Sequence, residues 1–327
     1  MFDLGLTVEN LLSIPVLVFV LAFLATRLKS DIKLPDAIYQ GITIFLLVGI
    51  GIKGGHALKA SGGHDFVKPA AATLLLGVLV PLIAYWLISA AKKISKDDRA
   101  SIAAHYGSTS LVTFSAGLVM LESLQVFVEP YVATLLAIME IPGIIVGIYL
   151  GVRKTSDQSS RGRISETLRE VFLGRTVVLL VGALLAGYFA PEQSFSKIEP
   201  FFVQMQPGIL VLFLLQLGAM VGSRISSIKQ AGWAIPIFAI LMPVLAGTLG
   251  VAAGILIGMS VGGATMLAVL CASASYIAAP AAVGIALPKA NLGLALTSSL
   301  GITFPFNLII GIPLYLTLAQ AFSGALS

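Results

Sequence analysis

The chain has 327 residues, of which 57% are hydrophobic and only 11% are charged, and its mean hydropathy is +1.00. This composition excludes a soluble globular protein, and the length excludes a simple membrane anchor. The net charge of +5 is explained by membrane topology, as shown below, so we expect no nucleic-acid partner.

Ten apolar segments follow one another along the chain, each near the roughly 20 residues that a membrane-spanning helix needs. They cover residues 9–27, 38–54, 69–91, 99–121, 130–152, 171–190, 200–222, 232–257, 262–286 and 292–321. The sequence therefore predicts an all-α polytopic membrane protein with ten transmembrane helices. The first segment lacks a preceding positive region and an obvious cleavage site, so we interpret it as a retained span and not a signal peptide.

The Lys and Arg residues predict the orientation, because cytoplasmic loops carry an excess of positive charge. With the N-terminus outside, sixteen of the twenty fall on the cytoplasmic side, and only Lys53, Lys59, Lys68 and Lys197 fall outside. An even number of spans also returns the C-terminus to the outside. We therefore expect a multi-pass protein of the plasma membrane.

A polar interval, residues 153–170, divides the ten segments into five and five, which predicts two halves of opposite orientation, as in inverted-repeat transporters. Residues 1–152 form the first predicted repeat, 171–327 the second, and 153–170 a cytoplasmic linker. Three internal similarities in matching order support the division. Residues 79–84 resemble 241–246, 107–111 resemble 272–276, and 140–143 resemble 303–306.

Two serine segments, 107–110 and 272–275, lie at corresponding points of the two halves, where small residues make helices easy to break. A break would expose helix N-termini, whose N–H donors and partial positive charge suit an anion. Carbonyls released by the break, together with the Ser110 and Ser275 hydroxyls, can hold a hard monovalent cation. The alternative is close helix packing, which explains any single serine but not the matched pair.

Glu140 is the one acidic residue deep inside an apolar run, residues 132–150. A charge at the centre of a bilayer costs at least ~2.5 kcal/mol, so such a residue is a candidate for ion or proton handling. It could bind a cation, accept a proton, or remain a protonated acid held by helix hydrogen bonds, and a structural role is the alternative. Its repeat partner Thr303, and Asn307 one turn later, carry neutral oxygens.

One carboxylate with several neutral oxygens suits one or two Na⁺ ions. The predicted Na⁺ ligands are Glu140, Ser110, Ser275, Thr303 and Asn307.

Other polar residues in the apolar segments have less specific interpretations. His105 lies one turn before Ser108, but no nucleophile-elbow sequence surrounds the serine, so we expect no enzyme. His56 and His64 belong to a Gly-rich outer loop and fit solvated side chains better than metal ligands. Gln40 could either bond between helices or line a permeation path.

The ten-span plan and the segments 107–117 and 272–282 resemble the cyanobacterial sodium-dependent bicarbonate transporter family, the SbtA family, over nearly the whole chain. The resemblance implies a homotrimer of elevator-type carriers. Spans 1, 2, 6 and 7 would form a gate domain, and spans 3, 4, 5, 8, 9 and 10 a mobile core domain. It also implies bicarbonate bound where the broken fourth and ninth helices cross. The residues that map onto this crossing are Ser108, Thr109, Ser110, Ser273, Ala274 and Ser275.

The resemblance further implies a PII-like regulatory protein, SbtB, on the cytoplasmic face. The central segment 153–170 is shorter than the family would lead us to expect. The leading hypothesis is sodium-dependent bicarbonate symport by alternating access, with Na⁺ as the coupling ion and no organic cofactor. Two alternatives stay open: a Na⁺- or H⁺-coupled carrier of another small organic anion, and a membrane sensor that recruits a soluble partner.

Overall fold

The computed structural model describes residues 4–60, 66–153, 159–230 and 232–326, and the side chains of 4, 159–164, 225–230 and 326 lie outside this description. Every regular element in the described residues is helical. The α-helices are α1 (Leu4–Leu11), α2 (Ile14–Arg27), α3 (Asp36–Ala60), α4 (Val67–Ser89), α5 (Lys96–Gly107), α6 (Leu111–Ser123), α7 (Val132–Val152), α8 (Ser159–Leu173), α9 (Arg175–Phe189), α10 (Glu192–Glu199), α11 (Gln206–Gln230), α12 (Ala234–Leu256), α13 (Val261–Ala272), α14 (Ala278–Ala286), α15 (Leu292–Ser298), α16 (Phe304–Phe306) and α17 (Ile312–Leu326). Three π-helical turns accompany them: Pro200–Gln204, Ser299–Thr303 and Asn307–Gly311.

The protein crosses the membrane several times. Within the described residues, six helices are long and apolar enough to span a bilayer, and the number rises to eight if each of two bent pairs is one span. These pairs are α1 with α2, bent by 60°, and α8 with α9, bent by 43°. The helices α5, α6, α13 and α14 have only 12, 13, 12 and 9 residues, so none of them spans alone. The count of ten spans and the inverted repeat stay predictions.

The predicted linker, residues 153–170, is largely helical. Helix α8 occupies its second part, while 154–158 lie outside the described residues. Thr167 and Val171 are buried, and Val171 packs into an apolar cluster with Ala282 and Val283 of α14. The sixth predicted span, residues 171–190, therefore includes the end of α8 and is bent by 43° at Gly174, where α8 meets α9.

The helices pack in two groups. In the first, which we call the scaffold group, α3 lies along α9 and α2 lies along α11. In the second, which we call the crossing group, α4, α5 and α7 pack against one another, and α12, α13 and α17 do the same. The crossing group also includes α6, which packs on α13, and α14, which packs on α7. Small residues permit the close approach, since a Cβ on Gly51 of α3 would lie 2.6 Å from Ala183 Cβ of α9.

The last run of helix, from α15 to α17, contains two of the π-helical turns. Such turns leave carbonyls without their usual partners and often occur at functional sites. Here the side-chain amide of Asn10 donates hydrogen bonds to the carbonyls of Leu308 and Ile309, at 2.7 and 3.2 Å. The N-terminal helix α1 is thereby joined to this run.

Candidate functional site at the crossing of two interrupted helices

The first interruption separates α5 from α6. Ser108 is extended, with φ −98° and ψ 162°, so the helix that ends at Gly107 does not continue. Ser110 then begins the next helix, because its Oγ accepts a hydrogen bond from the Thr113 N–H at 3.2 Å. The chain therefore breaks at the serine segment where the sequence predicts it.

The second interruption separates α13 from α14 and is longer. Ser273 is extended, with φ −79° and ψ 164°, after the helix ends at Ala272. The Ser275 Oγ accepts hydrogen bonds from the N–H groups of Ala278 and Ala279, at 3.3 and 3.2 Å. Each break thus carries a serine whose hydroxyl satisfies the first turn of the following helix.

Direct hydrogen bonds join the two breaks. The Ser110 N–H donates to the Ser273 Oγ at 2.9 Å, and the Ser275 N–H donates to the His105 carbonyl at 2.7 Å. The Ser110 hydroxyl also donates to the Tyr276 hydroxyl oxygen at 3.2 Å. Backbone groups that the breaks release from their helices are therefore satisfied across the crossing.

Glu140 is carried to the crossing by α7. Its side chain is only 4% exposed, and its Oε2 accepts a hydrogen bond from the Thr109 hydroxyl at 2.8 Å. Helix α7 can approach so closely because Gly143 lies directly against the Gly107 carbonyl. The carboxylate is therefore placed beside the first break.

A narrow cleft of about 20 Å³, enough for about one water molecule, lies against this arrangement. One wall belongs to the scaffold group, from which Thr43 and Thr176 supply the polar side chains. The opposite wall belongs to the crossing group. The residues of that wall are Thr109, Ser110, Leu111, Leu136, Glu140, Ser275, Tyr276, Ile277 and Ala278.

A second space of about 300 Å³, which we call the vestibule, continues from the cleft. The two spaces share Glu140 on one wall and Thr43 and Thr176 on the other. The vestibule then extends to Gln40 and Arg175, near the starts of α3 and α9. In this conformation the crossing is approached from the end of the protein that carries Arg175.

The structure places three of the six predicted substrate residues on the cleft: Thr109, Ser110 and Ser275. The other three, Ser108, Ser273 and Ala274, are buried and do not line it. The Ser273 hydroxyl is engaged at the crossing, where it also donates to the Leu270 carbonyl at 3.0 Å. The Ser108 hydroxyl has no hydrogen-bond partner among the described residues.

The predicted five-residue Na⁺ shell is not assembled. Glu140, Ser110 and Ser275 share the cleft, but Thr303 and Asn307 line neither space that contains Glu140. The Thr303 hydroxyl donates to the Ala239 carbonyl at 2.6 Å, and the Asn307 amide donates to the Ala272 carbonyl at 2.8 Å. In this conformation both side chains satisfy backbone carbonyls of the second half, and their assignment as Na⁺ ligands stays a prediction.

Sequence reasoning missed the scaffold side of the cleft. Thr43 and Thr176 lie on helices without a distinctive motif, and only the close packing of α3 on α9 brings them together. Gln40 was recognised as a candidate, and it does line the vestibule. A signal for Tyr276 was present, since it directly follows the serine segment.

The cleft combines two kinds of chemistry. The Glu140 carboxylate and the hydroxyls of Thr109, Ser110 and Ser275 are hard oxygen donors, which fit Na⁺. Leu111 and Ala278, the first residues of α6 and α14, also line the cleft, so two helix N-termini with partial positive charge border it. The lining of the cleft therefore offers ligands of both kinds, for a cation and for an anion.

Comparison with known proteins agrees with this chemistry. The sequence profile of the Na⁺-dependent bicarbonate transporter superfamily matches residues 15–320. A search of the curated proteins gives no match. Because the profile covers nearly the whole chain, including both interrupted helices and Glu140, the chain belongs to the Na⁺-dependent bicarbonate transporter superfamily.

Proposed function

We propose that this protein imports bicarbonate together with Na⁺ across the plasma membrane, as a symporter that works by alternating access. Membership of the superfamily supports Na⁺ and bicarbonate as the transported pair. The observation that carries the proposal is the cleft itself, where the buried Glu140, three hydroxyls and two helix N-termini converge.

The coupling of Na⁺ transport to bicarbonate transport follows from the charges of the two ions and of Glu140. A bicarbonate ion about 4 Å from an ionised Glu140 would be repelled by roughly 4 kcal/mol at an effective dielectric constant near 20. Na⁺ bound by Glu140 and the neighbouring hydroxyls of Ser110 and Ser275 removes that repulsion. Each ion therefore improves the binding of the other, and transport of either alone is disfavoured.

Selectivity follows from the size and polarity of the anion site. The N-termini of α6 and α14 each favour an anion by about 0.3–1 kcal/mol, and more where they are shielded from water. Thr109, Ser110 and Ser275 add hydroxyls that can either donate or accept. The chemistry of this lining suits a small planar monoanion such as bicarbonate, whereas a dicarboxylate would leave a second charge without a partner.

Alternating access would arise from motion between the two packing groups. The scaffold group contains the predicted spans 1, 2, 6 and 7, and the crossing group contains the others. The cleft lies between them, with Thr43 and Thr176 on the scaffold side. We propose that the crossing group carries both ions past these threonines, as an elevator-type carrier does.

The assembly and topology proposed here follow the family resemblance and the distribution of Lys and Arg. They comprise a homotrimer, both termini outside, and regulation by a PII-like protein at the cytoplasmic face.

The test is uptake of labelled bicarbonate into proteoliposomes, with and without an inward Na⁺ gradient. Wild-type protein should accumulate bicarbonate only with the gradient. Glu140→Gln should lose the Na⁺ dependence, and uptake should fall by more than tenfold. The control is Glu166→Gln, which neutralises an exposed carboxylate on α8 and should transport normally.

Three outcomes would contradict the proposal. Uptake driven by a proton gradient and indifferent to Na⁺ would assign another coupling ion. Uptake of a different labelled anion that excess bicarbonate fails to inhibit would assign another substrate. Absence of transport of any anion by folded protein would favour a membrane sensor.

A further inference from the structure

The vestibule carries an unusual set of charges for the route of an anion. Two carboxylates line it, those of Glu140 and Glu170. Among the described residues that line the vestibule, Arg175 is the only cation. Arg175 is therefore the one side chain in the described lining of the vestibule whose charge attracts an anion.

Arg175 is free to engage a ligand. It is the first residue of α9 and is exposed. Its Nη1 donates one long hydrogen bond, 3.4 Å, to the Gln40 Oε1. The two ion pairs of the described residues, Lys53 with Glu122 and His56 with Glu192, do not involve it.

We propose that Arg175, oriented by Gln40, forms a second anion subsite in the vestibule, where a small planar oxyanion pauses on its way to or from the crossing. The proposal rests on the proposed function and deepens it. A guanidinium offers two parallel N–H donors that match the two oxygens of a carboxylate or bicarbonate. Gln40 also carries an Nε2 amide group that can donate to the same anion while its Oε1 accepts from Arg175.

This subsite would lower the apparent KM for bicarbonate at this face but would not replace the crossing. Because Arg175 is exposed, its attraction is screened by salt, with a Debye length of about 10 Å at 0.1 M ionic strength. The effect of removing it should therefore be large at low ionic strength and small at about 1 M. A purely structural role in packing α9 would show no such salt dependence.

The first experiment measures the local potential directly. Ala281 is exposed in the vestibule on α14, and Ala281→Cys offers a thiol there, while the native Cys271 is buried and should stay unlabelled. Labelling rates are measured with an anionic and a cationic thiol reagent of equal size. Arg175→Gln should lower the ratio of anionic to cationic labelling several-fold at low salt, and Arg175→Lys should preserve most of it.

The matched control is Arg169→Gln, which removes the same side chain from an exposed position on α8 that does not line the vestibule. It should change the ratio much less. Because the ratio compares two reagents on one protein, a change in overall folding or accessibility cancels. A ratio that is the same in wild type and Arg175→Gln would overturn the subsite.

The second experiment measures transport from the Arg175 face in vesicles of known orientation. Arg175→Gln should raise the apparent KM for bicarbonate at that face several-fold at low salt, with little change in kcat or in the Na⁺ dependence. Equal losses in kcat and in the Na⁺ response would overturn the proposal, since they indicate damage to the crossing. If wild type transports no bicarbonate, the proposed function fails, whereas normal transport with no effect of Arg175→Gln refutes the subsite alone.

Discussion

The 2.9 Å hydrogen bond from the Ser110 N–H to the Ser273 Oγ connects the backbone of one break to a side chain of the other. The Ser275 N–H to His105 carbonyl bond, 2.7 Å, runs in the opposite sense. The site is therefore a composite of two chain segments more than 160 residues apart. Neither break is satisfied without the other.

Removing the Ser273 hydroxyl should weaken the crossing. Ser273→Ala leaves the buried Ser110 N–H without its acceptor, and an unsatisfied buried donor costs about 1–3 kcal/mol. We expect a loss of this size in the free energy of unfolding in detergent. The control is Ser299→Ala, because that buried hydroxyl bonds only a carbonyl of its own helix, Ala295. Equal stability of both variants would contradict the role assigned to Ser273.

Na⁺ should stabilise the folded protein through Glu140. A ligand that binds only the folded state adds about 2.7 kcal/mol at 100 times its Kd. Na⁺ in place of a large organic cation should therefore raise the Tm of wild-type protein but not of Glu140→Gln. Glu166→Gln should respond like wild type. A full Na⁺ response in Glu140→Gln would remove this carboxylate from the cation site.

The contact between α5 and α7 should not tolerate a methyl group. A Cβ on Gly143 would collide with the Gly107 carbonyl oxygen, which is backbone and cannot rotate away. Overpacking costs about 1–3 kcal/mol, and we expect Gly143→Ala to lie at the upper end and to displace Glu140 as well. The control is Gly182→Ala, since nothing lies within 4 Å of a Cβ there. Thermal unfolding and uptake are the measurements, and a fully active, stable Gly143→Ala would refute the packing.

A carboxylate accepts hydrogen bonds at the N-terminal end of each of the two helices, α5 and α13, that lead into a break. Ser95 and Ser260 begin α5 and α13, and each lies 13 residues before the serine of its break, Ser108 or Ser273. Glu129 accepts hydrogen bonds from the Ser260 N–H at 2.6 Å and its hydroxyl at 2.9 Å. At the matching position of the first predicted repeat, Asp98 accepts from the Asn291 N–H at 2.6 Å.

Neutralising either carboxylate should lower the free energy of unfolding. Hydrogen bonds to charged groups contribute about 1.5–3 kcal/mol when well shielded, and these sites are partly exposed, so we expect about 1 kcal/mol for Asp98→Asn and more for Glu129→Gln. Asp97→Asn changes the neighbouring carboxylate in the same helical turn and serves as the control. Thermal unfolding is the measurement, and an equal loss of stability in Asp97→Asn and Asp98→Asn would contradict the role assigned to Asp98.

Lys53 and Glu122 form an ion pair, 2.6 Å long, between the scaffold group and the crossing group. The pair lies about 20 Å along α3 from Gln40, at the end opposite the vestibule. The scaffold group and the crossing group are therefore joined by this ion pair at one end and separated by the vestibule at the other. Any motion of the crossing group that closes the vestibule would have to stretch this pair.

Breaking the pair should shift the balance between conformations. Exposed ion pairs contribute about 0.2–1 kcal/mol, so Lys53→Gln should lower the population of the open vestibule by no more than about fivefold. Labelling of Ala281→Cys by a thiol reagent reports that population. Exchanging the charges, with Lys53→Glu and Glu122→Lys together, should restore the labelling rate. If the exchanged pair behaves like either single variant, the ion pair does not set the balance.

The sequence predicted the fold class and the two breaks because these depend on local chemistry. Long apolar runs specify membrane helices, and small residues at Ser108 and Ser273 specify where they end. Glu140 could also be identified, since a carboxylate in an apolar run needs a partner, which is Thr109.

The rest of the site depends on packing that a single sequence does not specify. Asn307 occupies a suggestive position after Thr303, but its amide satisfies the Ala272 carbonyl that the second break releases. Thr43 and Thr176 reach the cleft only because α3 and α9 pack side by side. Internal similarity predicted equivalent positions in the two halves but could not show how each of them is used.

The reciprocal hydrogen bonds at the crossing have a consequence for biosynthesis. The ribosome completes residues 1–152 long before Ser273 is made, so the Ser110 N–H enters the membrane without its acceptor. Asp98 lacks its partner Asn291 for even longer. The incompletely synthesised chain must therefore keep this unpaired backbone N–H away from lipid, with water, a chaperone or the insertion machinery as its temporary hydrogen-bond partner. Maturation of this protein is thus expected to be a late, single event that awaits the final third of the polypeptide.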